Sequence, residues 1–247
     1  MTELRRLDQL LIERGLFESR SRAADAIKRG AITVDGAVAT KQGALVPELA
    51  DILVDDPARA YVSRAALKLK AGLEAFGLSP AGLDCLDIGA STGGFTQVLL
   101  EEGAAHVTAV DVGHGQMAPR IANDPRVANI ESVNARALDA GHLGGRTIGA
   151  VVSDVSFISL RLAMPPALDL AAPGAWCLLL VKPQFEVGRE GVGKGGLVRD
   201  KRLADKTVAD MVDWLNSLGG WESLGVSPSP ISGGDGNSEY LLAGRKT

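Results

Sequence analysis

The spacing of apolar positions changes character twice along this chain. Leu7, Leu10, Leu11 and Ile12 recur at helical intervals among polar neighbours. A second short helix fits residues 19–29, with Ser19 placed to cap its start and Gly30 to stop it. The run 31–39 then alternates around Asp35-Gly36 and predicts a hairpin. Two small helices and a hairpin in about 55 residues make a block too small for a large core. An acidic, turn-prone stretch with Asp51, Asp55, Asp56 and Pro57 closes it. Helical spacing returns at 59–70, where Ser63 is placed to cap a helix and Arg59, Arg64, Lys68 and Lys70 bring in positive charge.

Beyond this point near-continuous apolar runs predict strands at 84–88, 106–111, 128–133, 150–155, 176–182, 222–226 and 240–243. Helices fit between most of them, at 94–102, 160–171 and 200–218. Strands that are apolar on both faces and separated by helices imply a parallel sheet covered on both sides. The expected fold is therefore α/β: a doubly wound, mostly parallel seven-stranded Rossmann-like sheet whose last two strands form a hairpin. A small α+β domain precedes it. The expected boundaries are 1–54 for the small domain, 55–62 for a linker and 63–247 for the larger domain.

Composition narrows the class. An apolar share of 46% and a charged share of 23% are those of a globular chain, and an aromatic share of 4% calls for an aliphatic core. The net charge of −4 excludes a chain that is basic throughout but not a local basic face. Cys85 and Cys177 each lie in an apolar run and are expected to be buried free thiols. The charged N-terminus lacks the apolar core of a secretory signal, and the longest apolar block, 175–181, is far short of the roughly 18–20 residues that span a bilayer. A cytoplasmic protein without a membrane partner is expected.

The strongest local chemical signal is the run from Asp87 to Thr96, which follows a strand and opens a helix. Gly89, Ala90, Ser91 and Gly93 form a small-residue loop that lets a ligand approach the main chain beyond the carboxyl end of the strand. Asp111 ends the next strand, about twenty positions later, where an acid accepts hydrogen bonds from a ribose diol. A dinucleotide loop has glycine in the middle of Gly-x-Gly, and here that position is Ser91. S-adenosylmethionine has no pyrophosphate to accommodate, and its positive charge suits Asp87. It therefore fits better than a nicotinamide cofactor; a glycine-rich turn without a ligand is the third reading. Asp154 and Lys182 end the fourth and fifth strands and would share the rim with that loop, although a strand-end Asp is often only a helix cap.

Four segments together carry a resemblance: Asp87-Ile-Gly-Ala-Ser-Thr-Gly-Gly-Phe-Thr96, Asp154-Val-Ser-Phe-Ile-Ser-Leu160, Val181-Lys-Pro-Gln-Phe-Glu-Val-Gly-Arg-Glu190 and Val192-Gly-Lys-Gly-Gly-Leu-Val-Arg-Asp200. In this order they resemble the TlyA, or haemolysin A, family of FtsJ-like ribosomal-RNA ribose methyltransferases. The N-terminal block, with Arg6-Leu7-Asp8, Ser19-Arg20 and residues 30–36, is similar to the small RNA-binding domain first seen in ribosomal protein S-four. The resemblance implies S-adenosylmethionine as methyl donor and a catalytic set of Lys68, Asp154, Lys182 and Glu239. Asp87, Gly89, Ala90, Ser91, Gly93, Asp111 and Asp154 would then hold the cofactor. Ala65-Ala66 and Tyr61 depart from the glycines and the tryptophan frequent in relatives, and none of the four chemical residues is touched by these departures.

A ribose hydroxyl is a poor nucleophile until its proton leaves, so the reaction needs alignment and a proton acceptor. Lys182 is the candidate base; kept charged, it would instead stabilise the developing alkoxide. His106, His114 and His142 show no metal-ligand pattern, and no metal is expected. Arg5, Arg6, Arg20, Arg22, Lys28 and Arg29 crowd the small domain, and Arg64, Lys194 and Arg199 flank the expected site; these are the candidates for RNA phosphates. The expected partner is ribosomal RNA or a ribosomal subunit, with no obligate protein partner evident. Two other classes stand beside this one: a membrane-active haemolysin, for which no convincing amphipathic or spanning segment is found, and a non-catalytic RNA-binding protein, against which the four retained charged residues argue.

Overall fold

A computed structural model describes residues 3–234 and 236–247, with Arg189 described by its backbone alone. The chain forms two compact units, one extending through Ala60 and the other starting at Tyr61. In the first unit the elements run β1 (Leu4–Arg6), α1 (Leu7–Glu13), α2 (Arg20–Lys28), β2 (Ile32–Val34), β3 (Ala37–Val38), β4 (Leu45–Pro47) and β5 (Ile52–Val54). Both predicted helices are present, and the Ser19 Oγ accepts the Arg22 N–H at the start of α2. The hairpin turns at Asp35 and Gly36, both at positive φ (47° and 81°), as a tight two-residue turn requires. Two pairings go beyond the predicted hairpin. β5 adds antiparallel to β2, and β1 pairs with β4. Strands of three residues carry too few side chains to display an alternation. Leu7, Leu11, Ile27 and Ile32 are fully buried at the centre of this unit.

The second unit runs α3 (Ala66–Phe76), β6 (Asp84–Ile88), α4 (Gly94–Glu101), β7 (His106–Val110), α5 (Pro119–Ala122), β8 (Val127–Ile130), β9 (Ile148–Ser153), α6 (Leu160–Ala163), α7 (Pro165–Leu170), β10 (Ala171–Val181), α8 (Pro183–Glu186), α9 (Lys201–Ser217), β11 (Trp221–Pro228) and β12 (Tyr240–Lys246). Its seven strands lie in the order β11-β12-β10-β9-β6-β7-β8. Only β12 runs antiparallel, between β10 and β11. Side chains of β10 alternate between two cores. Leu178 and Leu180 pack with Leu69, Phe95 and Leu99, whereas Cys177, Leu179 and Val181 pack with Met164, Leu168 and Met211. That alternation is the expected doubly wound sheet, with helices on each face.

Three local expectations are corrected. The helix expected at 160–171 is two short helices, because Pro165 and Pro166 lack amide protons and restart the coil; Ala171 already belongs to β10. Ser63 does not cap α3, which begins at Ala66. The Ser63 Oγ accepts the Ala65 N–H in the turn before it. Residues 55–62 are shared between the units: 57–60 form a 3-10 turn of the first, and Tyr61 is buried in the second, where the Val62 N–H donates to Gln97 Oε1 at 2.9 Å. Both cysteines are free and buried, and burial pushes the Cys85 thiol up to about 12.

Asp87 sits within β6 rather than at its open end, and it is fully buried. Its Oδ2 accepts the Thr96 hydroxyl at 2.7 Å, which ties β6 to α4. Burial pushes its carboxyl up to about 7, against the pull of that hydroxyl. A folded-state value above the unfolded one means that the folded protein holds the proton more tightly. The associated stability is complete below about pH 4 and is lost as pH rises through about 7. Asp87→Asn removes this titration. Thermal melts of the variant are expected to lose less stability than the wild type between pH 5 and pH 8, and parallel curves would contradict the assignment.

Candidate active site

The order of the sheet reverses between β6 and β9, and ligands of open α/β sheets bind at such a reversal, outside the carboxyl ends of the strands. The segment after β6 takes a path that side chains resist. Gly89 has φ of 82°, and a Cβ there would lie 3.1 Å from the Asp154 carbonyl oxygen; Gly93 has φ of 93°, with Ile121 at 3.0 Å. Ser91 follows the same bend with φ of 46°. Asp111 stitches this loop to the end of β7. Its Oδ2 accepts the Ser91 N–H at 2.8 Å and its Oδ1 the Gly113 N–H at 2.7 Å. Each oxygen has acceptor capacity beyond the one bond it takes here, and Asp111 lines the adjoining hollow.

Four charged side chains converge beside the loop. Lys68 projects from α3, Asp154 follows β9, Lys182 follows β10 and Glu239 precedes β12. Lys68 Nζ lies 2.6 Å from Glu239 Oε2 and 3.7 Å from Asp154 Oδ2. Lys182 Nζ lies 2.5 Å from Asp154 Oδ1 and donates to Ser156 Oγ at 2.8 Å. Lys68, Lys182 and Glu239 are buried, and Asp154 opens partly to solvent. Asp154 is therefore no helix cap: Ser159 caps α6 by accepting the Arg161 N–H.

Two hollows meet at this cluster. One, of about 310 Å³, is lined by Arg64, Lys68, Ala90, Asp154, Lys182 and Glu239. The other, of about 440 Å³, has apolar walls from Val110, Val133, Val155 and Ile158, with Asp111 on its lining. Gly89, Ser91, Asp154, Ser156 and Phe157 line both. An apolar slot with Asp111 on its wall, joined through the glycine loop and Asp154 to a charged compartment, fits a nucleoside carrying a charged amino-acid arm. Asp87 lines neither hollow, being sealed beneath the loop, so its part there is to hold the loop through Thr96.

The candidates for RNA phosphates separate in the structure. Arg6 and Arg20 both bind Asp8, at 3.1 Å and 2.7 Å, and the Arg6 contact leads in pulling the Asp8 carboxyl down to about 2. Arg5 pairs with Glu3 and Arg22 with Glu18. These side chains keep between 30% and 58% of their surface exposed. Lys28 is on α2, and Arg64 lines the smaller hollow. Lys194 and Arg199 are exposed on the glycine-rich segment before α9. Arg29 is the exception and a correction. It grips Asp25 and both oxygens of Asp56 with only 15% of its side chain exposed, so it is a strut of the small unit.

Three contributors carry no clear signal in the sequence. Ser156 holds Lys182, and Glu186 accepts bonds from the Ser159 hydroxyl and the Leu160 N–H. Asn237, buried, joins the glycine-rich segment through the Gly196 carbonyl and the Val198 N–H. Ser156 and Glu186 lie inside the motifs that carry the resemblance, and Asn237 lies two positions before Glu239. A polar residue two positions after a strand-end Asp is the available signal for Ser156.

The strand order, the glycine loop and the hollows at the switch point define a Rossmann-like methyltransferase fold. Residues 61–246 match the FtsJ-like methyltransferase family and residues 5–50 the S4 domain. The chain belongs to the TlyA group of FtsJ-like methyltransferases. It is 47% identical over 243 residues to the 16S/23S rRNA (cytidine-2'-O)-methyltransferase TlyA of Mycobacterium tuberculosis, covering 98% of this chain and 90% of that one. It is 39% identical over 236 residues to Hemolysin A of Brachyspira hyodysenteriae, covering 96% and 98%. A solved structure from Streptococcus thermophilus, provisionally named a hemolysin, aligns with a TM-score of 0.73 at 36% identity, covering 100% of this chain and 90% of that one. The S-adenosylmethionine-dependent methyltransferase of Mesorhizobium loti shares the fold, with a TM-score of 0.51 at 14% identity over 71% of this chain and 96% of that one.

Removing Lys68 would leave the buried Glu239 carboxylate without its cation. Breaking a buried pair in this way typically costs about 3–5 kcal/mol. Lys68→Met is expected to lower the urea midpoint accordingly, and adding Glu239→Gln to recover much of the loss. Strict additivity of the two substitutions in a double-mutant cycle would refute the pairing.

Proposed function

We propose that this protein transfers a methyl group from S-adenosylmethionine to a ribose 2'-hydroxyl of ribosomal RNA, in the cytoplasm, acting on the RNA alone or within a ribosomal subunit. The observation that carries the reading is Lys182 Nζ, 2.5 Å from Asp154 Oδ1 and at the charged hollow that adjoins the apolar slot. The name of the mycobacterial relative supports the substrate class, and the S4 domain supports RNA as the ligand of the first unit. Gly89, Ala90, Ser91, Gly93, Asp111 and Asp154 would hold the cofactor, which supplies an electrophilic methyl group on a sulfonium. Arg5, Arg6, Arg20, Arg22 and Lys28 would bring RNA phosphates to the first unit, and Arg64, Lys194 and Arg199 to the second.

With the cofactor held by the glycine loop and Asp111, where it would supply the electrophilic methyl group, Lys182 would act as the neutral amine, after giving its own proton to solvent, and take the proton of the ribose hydroxyl. Asp154 orients Lys182, and Lys68 fixes Asp154 from the other side while itself held by Glu239. Position comes largely from packed strand ends, which suits a reaction whose acceptor must stand within about 2.6–3.2 Å of the proton. Among the described residues no helix is long and apolar enough to cross a membrane, and the name Hemolysin A is that of the Brachyspira relative.

Mapping ribose methylation in ribosomal RNA from cells with and without this protein tests the activity, and an unchanged map rejects it. With purified protein, Lys182→Ala is expected to abolish transfer while cofactor and RNA still bind. Lys182→Arg retains charge but cannot accept a proton, so it should be nearly as inactive. Substantial rescue by Arg would assign Lys182 to charge stabilisation instead. Asp111→Ala is expected to weaken S-adenosylmethionine about tenfold or more in calorimetry, since a charge-assisted bond to ribose is lost. Full-strength binding by that variant would remove Asp111 from the cofactor site.

A further inference from the structure

Asp154 and Lys182 stand on two different loops, and something must keep those loops in register. The segment after β9 leaves Asp154, passes Ser156 and Phe157, and enters α6 at Leu160. Phe157 has φ of 64°, the left-handed region that a bulky side chain resists, and it is 91% exposed. No burial of that ring compensates for the backbone, so the bend has to be imposed by its flanks. Both flanks are held by one neighbouring stretch, the short turn of α8. At one end Lys182 Nζ donates to Ser156 Oγ at 2.8 Å. At the other, Glu186 Oε2 accepts the Ser159 hydroxyl at 2.6 Å and Oε1 accepts the Leu160 N–H at 2.8 Å. Between them the Phe157 and Phe185 rings touch with centroids 5.2 Å apart.

We propose that Glu186 is a positioning residue for methyl transfer, locking the 154–160 arc onto the stretch that carries Lys182. It touches neither of the two reacting groups. Its carboxylate completes the cap of α6, where negative charge is favoured, and α8 carries that anchor back to Lys182, whose carbonyl accepts the Phe185 N–H at 2.9 Å. Lys182 and Glu186 thus grip the arc on either side of its strained residue. Without the Glu186 grip, Phe157 can relax toward an ordinary φ. Ser156 and Asp154 would turn with it, and the 2.5 Å contact between Asp154 and Lys182 would no longer be held in register. The apolar slot shares the arc through Val155 and Ile158, but Val110, Asp111, Val133 and the glycine loop stand apart from it, so cofactor affinity should fall less than the rate of transfer.

The inference rests on the reading of Lys182 and Asp154 as the residues at the reacting atoms. The test is single-turnover methyl transfer to ribosomal subunits, alongside S-adenosylmethionine affinity and the melting temperature. At saturating cofactor, Glu186→Ala is expected to slow transfer tenfold or more, with the half-saturating RNA concentration within about twofold of the wild type and any loss of cofactor affinity several-fold smaller than the loss of rate. Glu186→Gln should recover most of the rate, because its carbonyl can accept the Leu160 N–H and its amide can pair with Ser159. Ser159→Ala removes one anchor only and should fall between the two; it stands in for Glu186→Ala should that variant not fold. Wild-type rates in the variants, or losses that follow cofactor affinity or melting temperature without rescue by Gln, overturn the positioning role. A wild-type protein that transfers no methyl to ribose overturns instead the reading on which it rests.

Discussion

Two ammonium groups and two carboxylates share one nearly dry space at the carboxyl ends of the parallel strands. They alternate in sign, Glu239 to Lys68 to Asp154 to Lys182, so that every charge faces an opposite one. Taking any one of them out of water alone would be prohibitive. Together they are tolerated, but buried pairs rarely add stability over apolar packing. Such a chain of charges is better understood as a device for holding Lys182 in one orientation than as a means of holding the fold together. It also ties distant parts of the second unit, because its members come from α3, from the ends of β9 and β10 and from the entry to β12.

The sheet makes that convergence possible. Asp154 and Gly89 lie at the ends of adjacent strands on the two sides of the switch point, and β6 and β9 run in parallel register from Cys85 opposite Ala150 to Ile88 opposite Ser153. The close approach of Gly89 to the Asp154 carbonyl is thus set by strand pairing, with the glycine as the concession that lets it happen. Asp87 lies one step deeper on the same strand, and its buried carboxyl holds α4 through Thr96. Loop, acid and lysine are all positioned by strands that are packed on both faces.

Most of this frame is legible in the amino-acid sequence. Long apolar strands and the glycine run between them have a period and a chemistry of their own, and Lys182 is conspicuous as a charge directly after Leu178-Leu-Leu-Val181. The assembly of the four charged residues is legible only through resemblance, because Lys68 and Glu239 meet by folding from opposite ends of the second unit. The role of Glu186 is not legible, although the residue lies inside a motif that carries the resemblance. Its partners Ser159 and Leu160 belong to another loop, and an acid following an aromatic on a short turn has no pattern that separates it from a solvated one. Short strands such as β1 and β5 escape for the related reason that three residues cannot show a period.

The same distinction decides what a count of basic residues means. Six arginines and lysines crowd the first unit in sequence as one candidate RNA-facing group, yet the structure gives them unlike environments. Arg29 is drawn inward by Asp25 and Asp56 and commits its guanidinium to architecture. Arg6 and Arg20 share the buried Asp8, which fixes both while leaving each guanidinium partly open. A guanidinium has five N–H donors, so one held by a carboxylate through two of them still has others to offer a phosphate. Its side-chain entropy has already been lost in folding, which lowers the cost of ordering it on RNA. A chain of net charge −4 can in this way present a local cationic face, because its acids are partly used up in setting the arginines at fixed positions.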